Sequence, residues 1–277
     1  MGALFHRNLQ LSVLSSGSRG NCTYIGDGYA GVLVDCGVST KQILSRMERV
    51  GLGNAPIDAV LVTHEHSDHV AAARVLSNRL RSRTGQVVPF FMTEGTRSVL
   101  NPKMKPERIE TISSGEVFQV KHLRVDPFTV PHDCVDPVAY RVCVGGIWAG
   151  VITDLGRTTS LVESKLRSLS AAVLEFNHDV DMLLESRYPW PTKQRIRSSH
   201  GHLSNKQAGE LLSRALIHSP LQHLILAHLS DENNSPARAL QWAVNILRKQ
   251  GAHERVKVHV ADQREPMIPI QIQVSDW

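Results

Sequence analysis

Residues 62 to 70 read VTHEHSDHV, and this stretch restricts the chain more than any other. Four side chains with available lone pairs, His64, His66, Asp68 and His69, fall within six positions. A polar turn accounts for one loop histidine and accounts poorly for three in this order. Neutral imidazole and carboxylate oxygen both bind borderline or hard divalent cations such as Zn and Mn, so the pattern points to metal. Immediately upstream, AVLVT at 59 to 63 is a short apolar β-branched run of the kind that forms a buried strand. The ligand-type residues therefore begin where a strand ends. A rigid loop there turns His64 and His66 to one side and Asp68 and His69 to another, which suits two neighbouring metals. Carboxyl ends of strands in an α/β layer are also where active sites collect.

The alternation of strand and helix continues along the chain. Strand-like runs are LQLSVL, TYIG, GVLVDCG, AVLVT, VVPFFMT, HLRVDPFTV, AYRVCV, IWAGVIT, AAVLEF, HLILAH and VKVHV. Helix-like segments lie at 41–50, 70–82, 160–168, 204–217 and 235–250. The first places Ile43, Leu44, Met47 and Val50 on one face and stops at Gly51. Ser204 and Gln207 stand in capping-box positions, and Ser235 with Pro236 makes a cap and first-turn pair. No repeat, low-complexity tract or Pro/Gly/Ser linker divides the sequence. With 277 residues, 42% of them hydrophobic, the chain can bury a large core. We expect one α/β domain over 1–277, with two sheets inside and helices outside.

Other features narrow the setting. No apolar run approaches the roughly 18 residues of a membrane span, and the opening MGALFHRNLQLSV lacks a signal peptide's apolar centre. Cys22, Cys36, Cys134 and Cys143 are scattered without CxxC pairing, so a reducing cytoplasm is the expected compartment. Cys134, close to a suspected ligand, is a candidate for redox sensitivity. A formal charge of +5 and a pI of about 9.2 permit an anionic partner such as nucleic acid or another phosphate ester.

Partners for the first cluster should follow other strand-like runs on the same edge. FTVPHD places His132 there, VITDLG places Asp154, and LILAHLS places His228. Any one alone reads as a hydrogen-bonded structural residue. Together they complete two metal shells.

HEHSDH followed by PHD, TDLG and AHLS resembles the metallo-β-lactamase-fold hydrolases over nearly the whole chain. Further stretches resemble their YycJ/WalJ-like branch: SSGSRGNCTYI at 15–25, LVDCG at 33–37, LEFNHDVDML at 174–183, YPW at 188–190, KQRIRSSHGHLSN at 193–205 and AHLSDENNSP at 227–236. Arg19, in place of a small residue, and Phe176, in place of Ser, depart from that pattern without removing a ligand. The resemblance implies a four-layer αββα sandwich holding two divalent ions, Mn or Zn. It implies His64, His66 and His132 on one metal, Asp68, His69 and His228 on the other, Asp154 bridging them, and Asp35 orienting the loop from behind. It also implies a DNA-directed nuclease of the 5′ to 3′ exonuclease type.

Three further groups surround this set. His202 sits two residues before the Ser204 cap, placed to donate a proton beside an anion held at a helix N-terminus. His178, in the NHD segment, is a candidate for lining the substrate site. Lys193, Arg195 and Arg197 lie next to the GHLS loop as a basic strip suited to phosphate oxygens. The glycine-rich SSGSRGN lacks the GK[ST] ending of a P-loop and reads as a turn that approaches substrate through backbone amides. The stretch between Asp154 and His228 has no room for a large β-CASP insertion. Two competing readings are a small-molecule or cyclic phosphodiesterase and a noncatalytic metal-stabilised binding protein.

Overall fold

A computed structural model describes residues 8–272 of the chain. Residues 1–7, part of the opening from which no export signal was read, lie outside the described residues. Chain order gives β1 (Leu9–Ser15), β2 (Cys22–Gly26), β3 (Gly31–Val34), α1 (Thr40–Arg49), β4 (Ala59–Leu61), α2 (Ser67–Val70), α3 (Ala73–Thr84), β5 (Phe90–Thr93), α4 (Glu94–Val99) and β6 (Ile109–Ile112). The second half continues with β7 (Phe118–Val120), β8 (Leu123–Thr129), β9 (Val138–Val144), β10 (Ile147–Ile152), α5 (Ser160–Arg167), β11 (Ala171–Glu175), α6 (Val180–Glu185), α7 (Trp190–Ile196), α8 (Asn205–Ala215), β12 (His223–Ala227), α9 (Pro236–Lys249), β13 (Lys257–Val260) and β14 (Ile270–Ile272).

The strands form two seven-stranded sheets, ordered β14-β1-β2-β3-β4-β5-β6 and β13-β12-β11-β10-β9-β8-β7. The inner faces of both sheets share one apolar cluster, in which Leu11, Val32 and Leu61 of the first meet Tyr140, Val151 and Val173 of the second. Leu76 of α3 and Ile43 of α1 pack on the outer face of the first sheet, with Leu33 and Phe90. On the outer face of the second, Val162 of α5, Leu212 of α8 and Ala243 of α9 meet Leu174 and Leu226. These three cores require four layers, helix, sheet, sheet, helix, as expected. The nearly unbroken apolar runs of β3, β4, β11 and β12 are explained by burial on both faces.

Strand direction brings the ligand-type residues to one edge. Strands β3, β4 and β5 are parallel, as are β10, β11 and β12, and β8 runs the same way as β10 because both are antiparallel to β9. Asp35, His64, His132, Asp154, Glu175 and His228 therefore all lie at the ends of strands that finish on the same side. The sheets are tied together there: Tyr140 donates its hydroxyl to the Val62 carbonyl at 2.9 Å, and Val138 N–H to that of Thr63 at 3.0 Å.

The segment expected as one helix at 70–82 is broken. A short α2 carries Asp68 and His69, and α3 starts afresh at Ala73. The strands β6, β7 and β14 and the helices α4, α6 and α7 were not anticipated. Each is at most seven residues long, too short for a hydrophobic period to register.

Candidate metal centre

Three of the strand ends carry a non-glycine residue in the left-handed region: Asp35 (φ 62°), Asp154 (φ 59°) and His228 (φ 54°). This conformation is costly for such residues, and it persists where surrounding structure over-determines it. It swings each side chain away from the strand's path. Gly37 lets the loop after β3 pack against the ligand loop, since a Cβ there would lie 1.6 Å from the carbonyl oxygen of Asp68. Cys36 N–H donates to the His69 carbonyl and Asn21 N–H to that of Asp68, both at 2.8 Å, so the loop is fixed from two sides.

His64, His66 and His132 offer ring nitrogens within 4.8 Å of one another, as do the ligand atoms of Asp68, His69 and His228. Asp154 lies between the two groups. Its Oδ2 is 3.4 Å from His69 Nε2, and its Oδ1 is 3.4 Å from His228 Nε2 and 3.8 Å from His132 Nε2. Around this set the outward ring nitrogens are held. His69 Nδ1 donates to Asp35 Oδ2 at 2.8 Å, His132 Nδ1 to the Gly201 carbonyl at 3.1 Å, and His64 Nδ1 lies 3.0 Å from Thr63 Oγ1. A held outward nitrogen fixes the ring and leaves the inward one as a ligand. Asp35 is itself anchored, accepting from Thr63 N–H at 2.8 Å.

The donor set fits divalent cations on an observation independent of pattern. Asp154 Oδ2 and His228 Nε2 are buried and have no hydrogen-bond partner. A buried carboxylate oxygen without a partner is costly, and a cation between these atoms removes that cost. Burial alone would push Asp154 up, but the rings of His228, His69, His132 and His64 hold it well below the usual carboxylate range. Burial, with smaller effects from neighbouring rings, keeps His64 and His132 below the usual histidine range, so both are neutral and ready to ligate. His69 and His228 behave oppositely. Burial pulls each down, yet the surrounding carboxylates outweigh it, Asp154 foremost, and His228 is pushed up to about 10.

Residues 31–228 match the β-lactamase superfamily domain. The chain belongs to that superfamily. The exodeoxyribonuclease YycJ of Bacillus anthracis is 32% identical over 270 residues, covering 96% of this chain and 98% of its own. The exodeoxyribonuclease WalJ of Streptococcus pneumoniae is 31% identical over 242 residues, covering 85% and 87%. Among solved structures, the metallo-β-lactamase fold protein YhfI from Bacillus subtilis superposes with a TM-score of 0.70 at 15% identity, covering 96% of this chain and all of that one.

Groups around the candidate ligands orient them, and several of these were missed in the sequence. Glu175 ends β11 fully buried, accepting from Leu155 N–H at 2.8 Å, Leu203 N–H at 3.2 Å and His202 Nδ1 at 2.8 Å. An acidic residue closing the apolar run AAVLEF was the available signal. Asn21 places Nδ2 3.1 Å from His69 Nε2, and Asn177 places Nδ2 3.2 Å from His228 Nδ1. The turn SSGSRGN, expected to meet substrate through its amides, is closed on itself by Gly17 N–H donating to Asn21 Oδ1. It also reaches the site through side chains: Asn21 at His69, and Ser16 Oγ, which accepts from the His228 N–H at 2.8 Å.

The outer candidates divide. His202 stacks on His228, with ring centroids 5.2 Å apart, and lies at the same separation from His132. His178 is buried beside the Ser204 segment and has no partner for Nδ1. The expected basic strip is not a single surface. Lys193 is buried, and its ammonium donates to the carbonyls of Leu184 at 2.6 Å and Ser186 at 2.7 Å, closing the C-terminal end of α6. It is not free to grip phosphate, because the sequence 190–196 coils into α7 and turns it inward. Arg195 is exposed and pairs with Asp133, itself 3.2 Å from His132 Nε2. Arg197 is exposed beside His178. All four cysteines are free, and burial together with neighbouring acids raises the Cys134 thiol, which leaves it a poor thiolate. Among the described residues no helix is long and apolar enough to cross a membrane.

Proposed function

We propose that this chain is a two-metal phosphodiesterase acting on DNA, cutting from the 5′ end toward the 3′ end, and that it works in the cytoplasm. The chain is a metal-dependent hydrolase of the metallo-β-lactamase fold; the number of ions, their identity as Mn or Zn, and the polymer substrate are what the proposal adds. The observation that carries it is the convergence of His64, His66, His132, Asp68, His69 and His228 on the two sides of Asp154. Similarity to two exodeoxyribonucleases over most of the chain supports DNA as the substrate.

In this reading His64, His66 and His132 would hold one ion and Asp68, His69 and His228 the other, and Asp154, lying between the two groups, would serve both. When bound, a pair of such ions makes water acidic near neutral pH and offsets the negative charge that develops on a phosphodiester under attack. The remaining steps fall to the protein. Glu175 holds His202 Nδ1 and stays ionised, because burial is outweighed by His202 and His228 and its carboxyl sits at about 2. That fixes the ring with Nε2 as its free nitrogen, able to carry a proton to the departing oxygen of the strand. Arg195 and Arg197 face the polymer as exposed guanidiniums suited to phosphate oxygens.

Product analysis tests this reading. Metal-loaded protein is incubated with 5′- and 3′-labelled single- and double-stranded DNA, RNA of the same sequence, and bis-p-nitrophenyl phosphate. Early release of short 5′-labelled products from DNA, with 3′-labelled strands shortening stepwise, supports it. Hydrolysis of the chromogenic diester alone would replace it with a small-molecule phosphodiesterase, and intact protein inert on every diester would leave a metal-stabilised binding protein.

A further inference from the structure

A surface recess of about 310 Å³, of which only the Arg197 wall has been used above, lies beside the Glu175–His202 pair and is walled by His178, Arg197, Ser204, Lys206, Gln207 and Glu210. Both segments that build it run on from that pair: Glu175 leads into His178, and His202 into Ser204. A parallel bridge joins His178 to Ser204, and Asn205 N–H donates to the His178 carbonyl at 2.8 Å. Two extended residues span roughly 7 Å, comparable with the step between successive phosphates of an extended strand.

The chemistry of the recess is that of an anion site. Among the described residues neither Arg197 nor Lys206 makes an ion pair, and both are exposed. Glu210 is the one acid on the wall, so the net charge stays positive. Helix α8 begins here, and three of its first N–H groups are engaged: Asn205 on His178, Gln207 on Ser204 Oγ and Ala208 on the Ser204 carbonyl. The Lys206 N–H is the one left over. An independent sign comes from His178, which is 1% exposed, lines the recess and leaves Nδ1 without a partner. A buried polar nitrogen with no protein partner is costly unless a group from outside the protein pairs with it.

We infer that this recess receives the phosphate of the DNA strand adjacent to the one being cut, an inference that rests on the phosphodiesterase reading above. Arg197 offers its planar fork to two phosphate oxygens, Lys206 adds a point charge, and the Lys206 N–H and the His178 ring close the cradle. Its effect is register: the scissile phosphate is brought to the metals because its neighbour is already seated.

Two measurements test it on the metal-loaded protein. In the first, inorganic phosphate is titrated while the His178 ring resonances, assigned with His178→Gln, are followed by NMR. They shift in the native protein and stay in place in an Arg197→Ala/Lys206→Ala double variant. No shift in the native protein, or the same shift in both, overturns the anion site. In the second, oligodeoxynucleotides carry one uncharged methylphosphonate at the linkage on either side of the cut. The native protein loses about tenfold in kcat/KM when one specific neighbouring linkage is neutral, and the double variant cuts charged and neutral strands alike within about twofold. An equal penalty in native and variant proteins overturns the assignment of the recess to that phosphate. A phosphate-dependent His178 shift together with no cleavage of any DNA would retain the anion site and overturn the DNA reading instead.

Discussion

Nδ1 of His202 lies 2.8 Å from Oε1 of Glu175, a carboxylate with no exposure to solvent. The contact fixes the orientation of the His202 ring, and in the function proposed above that ring is the proton donor at the edge of the metal centre. His202→Ala should keep its metal content and lose about a hundredfold or more in kcat. Glu175→Gln, which preserves shape but not charge, should lose about tenfold or more. The double variant should be little worse than His202→Ala, because the two act as a unit. Steady-state kinetics with elemental analysis checks this. Additive losses would assign Glu175 to the backbone it anchors and not to His202.

Among the described residues, Asp154 is the one carboxylate within reach of both proposed ligand groups. For Asp154→Ala the expected outcome is loss of both ions under dialysis and loss of hydrolysis, since one side chain neutralises two cations. The comparison is His66→Ala, which touches one group only and should release one ion. Retention of two ions by Asp154→Ala would refute the shared position.

His64 and His132 are held below the usual histidine range and His69 and His228 above it, and the sign of a pH effect follows from the raised pair. In the metal-free protein His228 is raised from 6.5 to about 10: burial lowers it, and Asp154, Asp68 and Glu175 more than offset this. A raised group contributes stability that is full below the unfolded value and is lost as pH climbs through the folded one. His69 shifts in the same direction. The melting temperature of metal-free protein should therefore fall between about pH 6.5 and 10, and added Mn or Zn, which displaces those protons, should narrow the fall. Differential scanning calorimetry of both forms reads it directly. A melting temperature independent of pH across that window would contradict the assignment.

Lys193 and Arg195 stand two residues apart and should respond differently. Lys193→Met removes two hydrogen bonds to the end of α6 and should cost about 1–3 kcal/mol of stability while leaving the salt dependence of DNA binding unchanged. Arg195→Ala should leave the melting temperature within a few degrees and reduce the slope of log affinity against log salt by about one. Fluorescence anisotropy over a salt series separates them, and a flattened slope for Lys193→Met would return that residue to the binding surface.

The convergence of the candidate ligands was legible because they follow apolar strand-like runs, and parallel strands place such positions on one edge. His64, His132, Asp154 and His228 needed only that rule. Asp35 was legible through family resemblance, and its left-handed backbone was not, because dihedral angles are set by the loops that pack around it. Glu175 was hidden for a different reason: a lone acid at the end of an apolar run reads as a turn residue until the His202 loop is folded over it. Lys193 was misread because spacing along a short basic segment does not disclose α7, whose coil buries one of three charges. Four-layer packing followed from the alternation of elements, whereas β6, β7 and β14 are too short to announce themselves and exist as edge partners of longer neighbours.

The most direct test of the account is a metal titration of activity. Protein stripped by chelation is loaded with measured equivalents of Mn or Zn and assayed on single-stranded DNA at each step. Activity absent in the stripped protein, rising with added metal and breaking to a plateau at two equivalents per chain, is the predicted result. DNA hydrolysis that survives in metal-free protein, or a plateau reached at one equivalent, would contradict a two-ion centre built on Asp154.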